Sequence, residues 1–420
     1  MNTWVQSFRE LLKKTPSLGF PPDEVTINRP EGSVDEIAVN ETFWNTVRQD
    51  FSLSEDLINL NNGAVSSSPK IVENAFLHYY KLVNTSPSFY LWKVMAGIKE
   101  QIREGLSRLI NASPNEVAIL RNTTEAANNV IFGLPLLRGD EVVLCRQDYA
   151  KVVSSWKQRE VRDGIKLSWI DLNPDTDTDD DIVTKYKAAF SDRTKVVQLT
   201  HVINWNGQVM PVEPIIQEAK NRGIEVILDG AHSFGKLPTD IEKLGCDYFF
   251  TALHKWLSGP IPSSMLYVRK EKIGKLWPLA SGAEPLSDDI RKFEELSIQL
   301  YPNILALGFA IEYHLSIGRA VKEARLRHLR RHWVTQLQDK EGLHFNTPLS
   351  EERCCTIINL SLKSWTPAEI ETYLLQKHYI HVGIVQQPNM TGIRVTPNIY
   401  THPSALDKLV GAINSMELRG

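Results

Sequence analysis

Long blocks of lysine and arginine, C-x-x-C cysteine pairs and a phosphate-loop glycine signature are all missing from this 420-residue sequence. With no basic block and a formal net charge of only −3, the chain has little with which to grip a nucleic-acid backbone or an anionic membrane surface. Its four cysteines, Cys145, Cys246, Cys354 and Cys355, show no C-x-x-C spacing. That suits neither a zinc site nor a disulfide framework, and points to a reducing, cytoplasmic setting. The absence of G-x-x-x-x-G-K-[ST] disfavours a P-loop nucleotide site. The N-terminal MNTWVQSFRELLKK is too short and too charged to span a bilayer and lacks the apolar run of a cleaved signal. Trp4, Val5, Phe8, Leu11 and Leu12 fall at helical spacing, which predicts an amphipathic helix docked on the body.

The chain does have an ordinary globular composition, 42% hydrophobic and 23% charged, and enough length for a large domain and a smaller one. Residues 13–40, rich in Pro, Gly and charge, read as a wandering arm. Short apolar, β-branched runs follow: EVAIL, EVVLC, KLSWIDL, KVVQLTHVI, IEVILDG, DYFFTAL and SSMLYVR. Helical stretches at 124–137, 150–163, 181–190 and 211–222 separate several of them. That alternation predicts an α/β fold with a mostly parallel sheet covered on both faces. A long helix over 303–340, strands in CCTIINLSL and TGIRVTP, and helices at 366–377 and 403–417 predict a smaller α+β domain. The expected division is 1–56 as an N-terminal arm belonging with the small domain, 57–305 as the large domain, and 306–420 as the small one.

In parallel sheets, ligands sit at the carboxyl ends of the strands, and the unusual polar residues cluster there. Asp229 closes IEVILD, His201 and Asn204 close VVQLTHVIN, and His254-Lys255 follow FFTAL. A desolvated lysine loses its proton more easily, and its free amine can condense with an aldehyde. Taken alone, Lys255 is equally a strand-end lysine snorkelling to water, and Asp229 a turn cap. Asn122, Thr123 and Thr124 precede a helix, so they form either an anion cradle or a simple N-cap. Together, the strand-end Asp, the polar-loop Lys and the Thr-rich helix start are much less easily accidental.

These segments resemble the class V aminotransferase family, fold-type I enzymes that depend on pyridoxal 5'-phosphate (PLP), and most closely its isopenicillin N epimerase-like branch. The likeness runs in order through LNNGAVSSSP (60–69), RNTTEAAN (121–128), QDYAKVVSSW (147–156), THVINWNGQVMPV (200–212), residues 229–260 and IRVTPNIYTHPSALDKL (393–409). It implies that Lys255 carries PLP as a Schiff base and shuttles protons, that Asp229 faces the pyridine nitrogen, and that Tyr149 stacks on the ring. It further implies Asn204 and His232 near the ring hydroxyl, and Thr123, Thr124, Thr251 and His254 on the phosphate. Arg394 and Asn62 are expected on the carboxylate of a small amino-acid substrate. No metal is implied, and a homodimer is. Departures narrow the reaction. VGIVQQPNMTGIR (382–394) holds no cysteine, so a persulfide-forming desulfurase is disfavoured, leaving epimerase, β-eliminating lyase or aminotransferase. Ser297-Ile298 stands where relatives carry the Gly-Thr that reaches across a dimer to the phosphate.

Overall fold

The computed structural model describes residues 3–19, 25–280 and 282–418, so residues 20–24 of the expected arm lie outside it. Helix α1 (Thr3–Lys13) begins the chain. Helix α2 (Lys99–Leu109) then leads into strand β1 (Val117–Leu120) and helix α3 (Thr123–Gly133). Strand β2 (Glu141–Cys145), helix α4 (Ala150–Asp163), and strands β3 (Lys166–Ile170) and β4 (Thr194–Thr200) follow. Strands β5 (Glu225–Asp229), β6 (Tyr248–Ala252) and β7 (Ser264–Val268) complete a sheet of order β1-β7-β6-β5-β4-β2-β3. Only β7 runs antiparallel to its neighbours.

Side-chain alternation explains the nearly unbroken apolar text of these strands. Val143, Val197, Leu199, Val226, Leu228 and Phe249 face one core cluster. Val142, Leu144, Val196, Ile227, Tyr248 and Phe250 face the other. Successive residues point to opposite faces, and both faces are covered, so most positions are apolar. Polar residues gather at the strand ends, with Gln198 in the middle of β4 a buried exception. Thr200 pairs with Asp229, and Asp229 with Phe250, so β4 and β5 end level and β6 runs two residues further at the same edge.

The apolar stripe of α1 buries Trp4, Val5, Phe8 and Leu12 in the cluster that covers the large sheet, while Val34–Ala38 lies against the helix Arg319–Val334. The expected single helix over 303–340 is instead two. Helix α5 (Tyr301–Ile317) and helix α6 (Arg319–Val334) meet at 76°. The break falls at Gly318, whose φ of +93° is outside the helical region and easy only for glycine. Helix α5 is apolar nearly all round because it is buried nearly all round. Among the described residues, no single helix is long and apolar enough to cross a membrane. The small domain carries an antiparallel sheet of β8 (Leu343–Phe345), β9 (Ile358–Leu362), β10 (Gly383–Gln387) and β11 (Met390–Val395), in the order β10-β11-β9-β8.

A buried ion pair locks α2 to the edge of the large sheet. Arg103 grips Glu294 with Nη1–Oε1 2.5 Å and Nη2–Oε2 2.9 Å, both side chains almost wholly buried. Glu294 also accepts from the Ile119 N–H in β1 and pairs with Lys99. Removing the shared carboxylate strands two cations in the core. Glu294→Gln should lower unfolding free energy by about 3–5 kcal/mol, read by urea denaturation, and Arg103→Met, which leaves Glu294 paired with Lys99, should cost less.

Candidate active site

The site lies where β4, β5 and β6 end. Asp229, the last residue of β5, is buried, and its Oδ1 accepts the Ala231 N–H at 2.8 Å. Burial raises its carboxyl pKa to about 6, with the Ala231 bond and the nearby Lys255 opposing the rise. It is therefore an anion at neutral pH. Lys255 follows β6 in a tight turn, and its Nζ lies 3.1 Å from His232 Nε2. Burial lowers this amine to about 8; Asp229 opposes the shift, and Arg394 and Lys236 add to it. His232 is pushed well below its usual range, first by burial and then by Lys255, Arg394 and Lys236. It is thus a neutral acceptor or donor to Lys255, and its Nδ1 is buried without a partner.

Arg394 projects from β11 on the small domain. Its Nη1 donates to the Asn204 carbonyl at 2.9 Å and its Nη2 to Asn61 Oδ1 at 3.0 Å, while Nε has no partner. Burial draws the guanidinium down to about 10, partly offset by Tyr149, which puts Tyr149 within electrostatic reach. Gly383 on β10 permits this crowding: a Cβ there would sit 2.9 Å from Asn61 Oδ1 and 3.4 Å from Arg394 Nε. Asn204 keeps a buried, unpartnered Oδ1. Tyr149 is 41% exposed just ahead of α4, on the accessible side of the site.

The start of α3 has unfilled anion-binding capacity. Asn122, not either threonine, caps it, its side chain accepting from the Glu125 N–H at 3.0 Å. That leaves the hydroxyls of Thr123 and Thr124 without partners among the described residues, beside the positive end of an 11-residue helix. His254 anchors its Nδ1 on Ser263, 2.8 Å from the carbonyl oxygen, and its other ring nitrogen has no protein partner among the described residues.

Two of the expected site residues are engaged by other bonds. Asn62 is fully buried, and its amide bonds the carbonyls of Asn59 and Thr396 and accepts from Tyr400 Oη and Asn59 Nδ2. Its neighbour Asn61 is the one that reaches Arg394. Thr251 is also fully buried and donates its hydroxyl proton to the Gly230 carbonyl at 3.0 Å, so it ties β6 to the turn after β5. The sequence reading passed over Asp148 and Thr200. Asp148 Oδ1 accepts from Thr200 Oγ1 at 2.6 Å, and Oδ2 from the Cys145 N–H. Burial lifts Asp148 to about 7, and Asp229 adds to the rise. An acid directly before Tyr149 at a strand end was the available signal. Because Asn62 is a structural amide, Asn62→Ala should lower stability by about 1–3 kcal/mol in thermal or urea unfolding.

The unpartnered Thr123 and Thr124 hydroxyls, the unpartnered Asn204 oxygen, the buried carboxylate and the depressed lysine together fit the expected cofactor: an anion at one end, a ring nitrogen facing Asp229, and an aldehyde within reach of Lys255. Comparison with known proteins agrees. Isopenicillin N epimerase of Streptomyces clavuligerus is 27% identical over 391 residues, covering 89% of this chain and 98% of that protein. A cysteine desulfurase of Synechococcus elongatus is 30% identical over 403 residues, 88% of this chain and 63% of that protein. Among solved structures, the cystine C-S lyase C-DES, in complex with cysteine persulfide, superposes with a TM-score of 0.77 at 20% identity, over 86% of this chain and 98% of that one. The Escherichia coli cysteine desulfurase CsdA gives 0.78 at 20% identity, over 88% and 97%. These two show a shared fold. The family model for class-V aminotransferases matches residues 58–391, most of the chain and every strand of the large sheet, and the chain belongs to that family.

Proposed function

We propose that this PLP-dependent enzyme acts at the α-carbon of a small amino-acid substrate by moving a proton there, as an isopenicillin N epimerase-like enzyme. The observation that carries the reading is the buried Lys255 amine, 3.1 Å from a neutral His232 and flanked by Asp229 and Arg394. Bound PLP draws electrons away from the α-carbon and so loosens the bonds there. The residues of this chain supply the rest. Asp229, ionised above about pH 6, would hold a proton on the ring nitrogen. Thr123, Thr124 and N–H groups at the start of α3 would hold the phosphate, with His254 as a further donor. Arg394 offers a planar, bidentate match for a carboxylate, which a lysine would not. Lys255, as a free amine, would take or return a proton at the α-carbon. Tyr149 would supply a hydroxyl as the second proton carrier.

The cysteines support a reaction without a thiol nucleophile. All four are buried and free. Burial pushes Cys246 up to about 12 and Cys355 to about 11, and raises Cys145 and Cys354 as well, whereas reactive thiols have depressed values and some exposure. The same reading includes a homodimer. Trp92, Ile298 and Leu300, each exposed on this chain, are side chains that such a contact would cover. It also includes a cytoplasmic setting, consistent with four unpaired thiols.

The test is an absorption spectrum of the purified protein with PLP, followed by product analysis on a panel of L- and D-amino acids. The wild type should show the visible band of lysine-bound cofactor, and Lys255→Ala should not. A wild type without that band refutes the reading. Inverted product identifies the epimerase; eliminated or transaminated product replaces it with the lyase or the aminotransferase. In the epimerase case, Tyr149→Phe should lose about 10²–10⁴-fold in rate while retaining the band. Full activity in that variant removes Tyr149 from the proton transfer.

A further inference from the structure

A guanidinium can only donate hydrogen bonds, and this orders a short chain of side chains behind Arg394. Its Nη2 donates to Asn61 Oδ1 at 3.0 Å. The Asn61 amide is thereby fixed: with its oxygen turned to Arg394, its nitrogen faces the other way. There Nδ2 lies 3.3 Å from His381 Nε2. An amide nitrogen donates and does not accept, so His381 Nε2 has to offer its lone pair, and the ring proton sits on Nδ1. The roles of all three side chains follow from the one group among them that cannot change its own.

The backbone keeps the three together. Residues 58–61 run between two segments of the small domain. Ile58 and Asn59 pair with Ile380 and His381 on one side, and Asn61 pairs with Thr396, two residues past Arg394, on the other. The Leu60 N–H donates to the His381 carbonyl, and the Leu60 carbonyl accepts from the Thr396 N–H. Gly383 stands opposite Arg394 in the β10–β11 pair and leaves room for the Asn61 oxygen. On the outer side, His381 lines a cleft of about 280 Å³ with Arg48, Glu55, Asn59 and Tyr400.

We propose that Asn61 and His381 are positioning residues for Arg394: His381 Nε2 holds the Asn61 amide in one orientation, and Asn61 Oδ1 holds the guanidinium where it receives the carboxylate of an amino-acid substrate. A planar fork grips a carboxylate well only when its plane and direction are right. The Asn204 carbonyl on Nη1 restrains one arm of the fork, and Asn61 restrains the other. A side chain at 381 that only donates would set N–H against N–H, turn the amide and take Oδ1 away from Arg394. The proposal rests on the reading of Arg394 as the anchor of the substrate carboxylate.

The test uses the full-length chain loaded with PLP and two small probes. Aminooxyacetate and methoxyamine both discharge a lysine-bound cofactor and remove its visible band, but only the first carries a carboxylate. Asn61→Ala should slow aminooxyacetate about tenfold and leave the rate with methoxyamine close to that of wild type. His381→Lys, for which the cleft has room, should show the same selective loss. His381→Gln, whose oxygen can accept from Asn61, should restore the rate. Combining Asn61→Ala with His381→Lys should slow aminooxyacetate no more than Asn61→Ala alone, since both remove one restraint. Losses that multiply in the double variant overturn the proposal. Arg394→Met tells the proposal from the reading beneath it. If Arg394→Met loses the aminooxyacetate rate and Asn61→Ala does not, the proposal is overturned and the anchor stands. If Arg394→Met keeps both rates, the anchor reading fails and the proposal falls with it. Nitrogen NMR of cofactor-free protein carrying labelled histidine reads the chain of bonds directly. The His381 signal, identified by its absence in His381→Gln, should show the proton on Nδ1; a proton on Nε2 overturns the proposal.

Discussion

Three parallel strands reaching one edge of the sheet impose the order seen around them. Because Thr200, Asp229 and Phe250 lie side by side in register, the polar residues that close or follow these strands arrive at the same edge of the sheet. The sheet is covered on both faces by apolar clusters, so these groups are desolvated as well as gathered. Desolvation penalises whichever form is charged, and the direction follows the chemistry of each group. It moves the acids Asp229 and Asp148 up and the bases Lys255, His232 and His201 down. Carboxyls and amines are thereby drawn towards neutral pH from opposite sides, the condition under which protons move readily between them.

The framework that holds this edge in place lies far from it. Glu294 binds Arg103, Lys99 and the backbone of β1 at once, and α1 adds Arg9 on Glu312 of the buried helix α5. Buried ion pairs of this kind contribute little net stability compared with apolar packing, yet they are intolerant of losing one partner. They make the arrangement of α1, α2, α5 and the sheet edge specific.

Much of this was legible in the sequence, for identifiable reasons. A strand buried on both faces leaves an apolar run that ends abruptly, which is why Asp229, Asn204 and Lys255 stood out. What was not legible depends on contacts between distant segments. Asn61 and Asn62 are adjacent and chemically identical, and only the alternation of the extended chain decides which meets Arg394 and which bonds Thr396 and Tyr400. The proton of Thr251 is committed to Gly230 by the pairing of two strands. Gly318 reads in the sequence as a tolerated helix glycine, and its break follows from how α5 and α6 pack.

The guanidinium of Arg394 is also a mechanical element. It belongs to the small domain's sheet, yet it fastens to the Asn204 carbonyl of the large domain and to Asn61 on the segment entering it. Two of its five N–H groups make those bonds, and its Nε has no partner among the described residues. The side chain that joins the two sheets thus keeps donors in reserve, so an acceptor arriving there would be gripped without the joint being given up.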